Sequence, residues 1–161
     1  MIQFIGMRPT MVTTTSYGAW LPGDVRWYVQ RGEVLPPAPG LEKHAEALLK
    51  QPPVLFAEEQ QSALFDSLQH ACHEFGYRLS DASVECWHLH WIVMHDDRAP
   101  TMIGRLKNRL RQKLDQGAIW TEGYHFHDLE TNEALQAARE YIAKHQGVRM
   151  LAGQLVDRGG R

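Results

Sequence analysis

The chain has 161 residues, 43% of them hydrophobic and 22% charged, with a formal net charge of −2. That is the size and composition of one globular domain able to bury its own core, and a single domain is expected over residues 1–161. A balance so near neutrality excludes an indiscriminate polyanion binder, whose affinity comes from Lys and Arg displacing condensed counterions, but leaves room for a local basic patch.

No run of 18 apolar residues occurs, and the stretch from Met1 to Arg8 has neither a charged lead nor a cleavable apolar segment, so a cytoplasmic location is expected. The two cysteines, Cys72 and Cys86, have no metal-binding spacing; both are expected to be small buried hydrophobes. Nine histidines is a high count, and histidine is the commonest metal ligand.

In chain order, the β-branched run Met11 to Thr15 predicts a first strand, closed by the turn-rich Tyr17-Gly18-Ala19-Trp20-Leu21-Pro22-Gly23-Asp24. Six of the eight prolines fall between Pro22 and Pro53, which reads as a surface excursion with a short helix over Leu41 to Leu49. From Glu58 to Phe75 apolar residues recur three and four apart, the pattern of an amphipathic helix, with Gly76 as its cap. Strands follow over Arg78 to Cys86 and Trp87 to Met94, joined by the Asp96 to Pro100 turn to a helix that begins at Thr101 and stops at Gly117. A short strand at Tyr124 to His127 and a helix from Asn132 to His145 complete the elements, and the tail Asp157 to Arg161 reads as frayed. The order strand, helix, strand, strand, helix, strand, helix predicts an α+β ferredoxin-like sandwich: an antiparallel sheet with helices on one face, and a C-terminal helix bearing Tyr141.

Chemistry concentrates at three places. His88 and His90 flank Leu89 in a strand, so both imidazoles project to one side and can hold one metal ion; two histidines lining a half-buried strand would have the same spacing. On the last helix Tyr141 and His145 stand four residues apart and so share a face, although an isolated helical tyrosine more often packs its ring on a sheet. Arg105, Lys107, Arg109, Arg111 and Lys113 put five positive charges within nine residues, either a solvated face or a phosphate contact surface.

Taken together, Tyr17 to Asp24, the segment Glu85-Cys86-Trp87-His88-Leu89-His90-Trp91-Ile92-Val93, the basic helix, Trp120 and Tyr141-Ile142-Ala143-Lys144-His145 resemble the HUH single-tyrosine transposases and the REP-associated tyrosine transposases. The resemblance runs from about Met11 to Gly147. It implies a DNA strand transferase that nicks and rejoins single-stranded, hairpin-bearing DNA through a phosphotyrosine link. It further implies a divalent metal, Mg2+ or Mn2+, held by His88, His90 and a polar residue after the tyrosine, with Tyr141 as nucleophile and a homodimer as the assembly. The family commonly has Gln or Asn one turn after the tyrosine; here His145 stands there and Gln146 beside it, and His145 is the expected third ligand. The Pro-rich excursion is longer than the family pattern.

Two other readings stay open on the residues alone. One is a DNA-binding regulatory protein without turnover; the other is a histidine-metal phosphodiesterase using activated water, in which Tyr141 is structural. Trp20, Trp27, Tyr28, Trp87, Trp91 and Trp120 are candidates either for base stacking or for the core. His125 and His127 form a second His-x-His, which ranks below the first because the sequence gives it no tyrosine helix as partner.

Overall fold

A computed structural model describes residues 6–156; the expectations for the first residues of the chain and for the tail Asp157 to Arg161 lie outside it. The strands are β1 (Arg8–Thr15), β2 (Tyr28–Gln30), β3 (Glu33–Leu35), β4 (Arg78–Val84), β5 (His88–His95), β6 (His125–Asp128), β7 (Val148–Leu151) and β8 (Gln154–Val156). The helices are α1 (Pro39–Ala47), α2 (Glu58–Glu74), α3 (Ala99–Leu114) and α4 (Asn132–Ala143). The main sheet runs β6-β1-β5-β4-β7-β8, every pairing antiparallel. Its first four strands have the order expected of a ferredoxin-like sandwich, with β7 and β8 added at the β4 edge.

Two pairs of strands depart from the expected element list. β2 and β3 form a hairpin inside the excursion, turned by Arg31 and Gly32, both at positive φ (52° and 81°). β7 and β8 turn through Ala152 and Gly153, again both positive (50° and 77°). Positive φ at both central residues is what a right-twisting two-residue hairpin turn demands. The last helix also ends at Ala143 rather than His145, and β4 ends at Val84 rather than Cys86. The second shift exposes Cys86, against the expectation of burial; Cys72 is buried as expected, which pushes its thiol up to about 12.

The pleat divides the sheet into two chemically different faces. On one, Val12 from β1, Leu89, Trp91 and Val93 from β5, and Ala82 and Val84 from β4 pack against Leu64, Phe65 and Leu68 of α2 and Met102, Ile103 and Leu106 of α3, all of them buried. This is the main core. On the other face α4 crosses the strands over a small cluster of Ile92, Leu129, Ala138 and Ile142. A register irregularity in β4 between Leu79 and Asp81 accompanies an ion pair across this second face, where buried Asp81 meets Arg139 of α4 at 3.2 Å. Asp81 also accepts from the Ala152 backbone at 2.9 Å and from the Ser80 hydroxyl, so one carboxylate ties β4, α4 and the β7–β8 turn together. Thr131 caps α4 by accepting from Ala134 N–H at 3.1 Å. None of the described helices is long and apolar enough to cross a membrane.

Gly147 lies where α4 has ended and β7 begins. A Cβ there would come within 2.1 Å of the Val84 carbonyl oxygen, and its N–H donates to Glu85 at 2.8 Å. No side chain fits without moving β7 off β4. Gly147→Ala should therefore lose about 1–3 kcal/mol in urea unfolding, as overpacked sites do, with the folded far-ultraviolet spectrum kept; an unchanged midpoint would show that the backbone gives freely there.

Candidate active site

β5 presents His88 and His90 on the face covered by α4, and the first residues beyond α4 bring His145 to them. His145 stands past the helical span, held by its N–H to the Ile142 carbonyl at 3.1 Å and by a hydrogen bond of its Nδ1 to the Tyr141 carbonyl at 2.9 Å. Ring centroids are 4.7 Å apart for His88–His90, 5.5 Å for His88–His145 and 4.6 Å for His90–His145. One ligand atom from each of the three falls within 4.8 Å of the others, close enough to hold a metal ion. Gln146 is exposed.

The donor set fits a metal in its detail as well. His88 Nδ1 and His90 Nε2 are buried nitrogens without a hydrogen-bond partner, which folded proteins seldom tolerate unless something else fills the role. Opposite in register to His90, Thr13 of β1 brings its hydroxyl 2.8 Å from His90 Nδ1. With Nε2 given to a metal, the imidazole proton would sit on Nδ1, which would donate to Thr13 Oγ1 and hold the ring in place.

Burial pulls His88 down to about 4, helped by His145 and Arg26, and His90 down to about 3, helped by His88 and His145. Both are therefore neutral at physiological pH, the state in which imidazole ligates metals. Tyr141 is 48% exposed, its ring centroid 5.1 Å from that of His90 and 5.0 Å from that of His145. With Thr13, Thr15, Trp20 and Trp87, these four residues line a cavity of about 310 Å³. A larger hollow of about 740 Å³ lies between α1 and the 18–26 turn, but no histidine lines it, and two of its charged residues, Asp24 and Arg26, pair with each other at 2.5 Å.

The aromatic candidates divide between the two roles. Trp91 is fully buried and Trp120 packs on the core, whereas Trp20 and Trp87 meet edge to face at 6.1 Å beside the histidines, and Trp27 is exposed. Arg26 lies over the Trp87 ring at 4.4 Å, a neighbour of the site that no spacing in the sequence points to. The basic helix does not join this cavity. The buried residues of α3 belong to the main core, on the other side of the sheet; Arg105 pairs with Asp97 and Arg109 with Glu74, each at 2.8 Å, and Lys107 donates to the Gly123 carbonyl at 2.7 Å. His125 and His127, by contrast, do have Tyr141 as a neighbour: all three line one further cavity, contrary to their expected isolation from the tyrosine helix.

With this geometry in view, likeness to known proteins is informative at the level of fold. No family model and no curated protein sequence matches the chain. Among solved structures, a REP-associated tyrosine transposase bound to a REP hairpin superposes with a TM-score of 0.52 at 13% identity, over 84% of this chain and 64% of that one. A proposed transposase from Deinococcus radiodurans R1 superposes with a TM-score of 0.52 at 11% identity, over 90% of this chain and 96% of the other. The chain thus has the tyrosine-transposase fold, as the resemblance in its sequence implied, and spans under two thirds of the length of the hairpin-bound relative.

The depressed histidines make stability depend on pH with a definite sign. Unfolded, both imidazoles take up protons below about 6.5, whereas folded they stay neutral until about 4 and 3. The unfolded state then binds more protons, so metal-free protein should lose about 3–4 kcal/mol between pH 7 and pH 5, roughly half from each imidazole. Urea unfolding at the two pH values in a chelating buffer, with His90→Gln as comparison, should show a smaller loss in the variant; equal losses would place the linkage elsewhere.

Proposed function

We propose that the chain is a metal-dependent DNA strand transferase that nicks and rejoins single-stranded DNA with Tyr141 as nucleophile. The observation that carries this reading is the convergence of His88, His90, His145 and Tyr141 on one cavity from a strand, a helix and the segment after it. His88, His90 and His145 would hold a divalent ion, Mn2+ more tightly than Mg2+ because all three ligands are imidazoles, and when bound it would supply positive charge against a phosphodiester's non-bridging oxygens. The substrate class, DNA carrying a hairpin, follows what the hairpin-bound relative holds.

The chain's own groups account for the remaining steps. The exposed Tyr141 hydroxyl loses its proton and bonds to phosphorus as the bond from phosphorus to the 3′ oxygen breaks; that oxygen leaves as a hydroxyl after gaining a proton. The link to tyrosine keeps the phosphate activated, since a phenolate leaves more readily than an alkoxide. A new 3′-hydroxyl can then reverse the step and join the strands. Thr13 holds the His90 ring in its ligating orientation, and Trp20 and Trp87 at the cavity wall offer faces on which an unpaired base stacks, worth roughly 1–3 kcal/mol per base. We assign phosphate contacts to the basic helix at a distance from the reacting phosphate. Arg111 and Lys113 are its exposed cations outside any ion pair among the described residues, while Arg105, Lys107 and Arg109 are already engaged within the protein. A homodimer is the assembly this reading implies.

Tyr141→Phe deletes one oxygen from a half-exposed ring, so the variant should fold and bind manganese as the parent does. Incubated with labelled hairpin DNA and manganese, the parent should give a DNA-linked protein band on a denaturing gel and the variant none, with cleavage at least a hundredfold lower. A band that persists moves the nucleophile to another residue; cleavage with no band at all points to a metal-activated water.

For the basic helix, charge removal separates contact from solubility. Arg111→Gln with Lys113→Gln should lower the slope of log affinity against log salt by about one to two units while leaving metal binding unaffected. An unchanged slope would put the DNA path elsewhere.

A further inference from the structure

The second histidine pair is placed by the sheet order. β6 lies antiparallel to β1 with His125 opposite Thr13 and His127 opposite Met11. Both imidazoles therefore share the face on which the triad stands. Their Nε2 atoms are 2.7 Å apart, the ring centroids 4.4 Å apart, and the ring planes nearly perpendicular at 82°. With Met11, Thr13 and Tyr141 they line a cavity of about 300 Å³, and Thr13 and Tyr141 are the two residues it shares with the triad's cavity.

We propose that His125 and His127 form a second divalent-cation site, selective for the transition-metal class, on the other side of Tyr141 from the triad. Two imidazole nitrogens bound to one ion at about 2.0–2.1 Å stand about 2.9–3.3 Å apart for right-angled to tetrahedral geometry. The observed separation of 2.7 Å needs only a few tenths of an ångström of opening. Neutral aromatic nitrogen favours Ni2+, Cu2+ and Zn2+ over Mg2+, which prefers oxygen ligands in a strict octahedron. Both rings are exposed, so an ion reaches them without any part of the fold opening.

Proton bookkeeping is neutral. The hydrogen bond between the two Nε2 atoms requires one imidazole to carry its proton on Nε2; ligation moves that proton to Nδ1, and none is lost. Two protein ligands leave coordination positions for water or an anionic oxygen, and the Thr13 and Tyr141 wall closes that side of the cavity. An ion held there puts positive charge beside the same phenol that the triad flanks. A hydrogen-bonded pair that merely finishes a sheet edge would show no affinity for metal, and this separates the two roles.

The site stands independently of the triad, and its test is read separately. Ni2+ binding to the whole chain at pH 7.5 is measured by calorimetry for the parent, His125→Ala, His127→Ala and His88→Ala, with melting temperatures recorded alongside. Because both rings are exposed, the first two variants should melt as the parent does and each should bind one equivalent fewer, while Mg2+ in tenfold excess should not compete. His88→Ala should keep that equivalent; if it also binds as many ions as the parent, the triad reading fails and this one holds. Parent stoichiometry in His125→Ala or His127→Ala with an unchanged melting temperature would overturn the proposal.

Discussion

The whole arrangement hangs on the period-two alternation of β5. Leu89, Trp91 and Val93 are fully buried in the main core, and the residues that alternate with them, His88, His90 and Ile92, are thereby committed to the opposite face. Each of those apolar side chains contributes about 1.5–3 kcal/mol by leaving water, so a slip of one residue costs several kcal/mol and would turn the imidazoles into the core. The register that serves the core also places Thr13 across from His90. The placement of His88 and His90, two of the three candidate metal ligands, is therefore fixed by hydrophobic packing on the far side of the sheet.

The same arrangement makes the site a local liability. His88 and His90 are neutral because burial penalises their charged forms, and each keeps a buried nitrogen without a partner. A buried polar group left unpaired costs about 1–3 kcal/mol. Elsewhere the second face offsets this with well-satisfied polar links, above all Asp81, which accepts from Arg139, Ser80 and the Ala152 backbone.

Much of this arrangement is legible in the sequence. Helical and strand periodicities located four strands and the helices of the sandwich, and the His-x-His spacing with a tyrosine before His145 gave the triad and its neighbour. The hairpin pairs were not legible, because their strands are three or four residues long and their turns are Arg31-Gly32 and Ala152-Gly153 in place of the Asn-Gly or Asp-Gly that marks such turns. His145 was reached for a partly mistaken reason: the helix stops at Ala143, and backbone bonds to Ile142 and Tyr141 continue the turn far enough to deliver the ring. The charge on α3 was plain, but periodicity shows which side of a helix is buried and not against which face of a sheet it lies. For His125 and His127 the missing link was the strand order, which sets β6 beside β1 and so brings a distant pair to Tyr141.

The anchoring of α4 has a mechanical consequence. Among the described residues the helix buries Ala138 and Ile142 fully and rests Ala134 and Leu135 partly against its small cluster, with Arg139 holding Asp81. The main core on the other side of the sheet gains nothing from it. If a DNA end is joined to Tyr141, any tension along that strand is carried into the protein through these few contacts, while the strand that bears His88 and His90 is braced by two helices and feels almost none of it. Under load the tyrosine's helix would yield first, taking His145 with it, while His88 and His90 would stay in place, so the molecule would behave as a stiff anvil with a compliant arm.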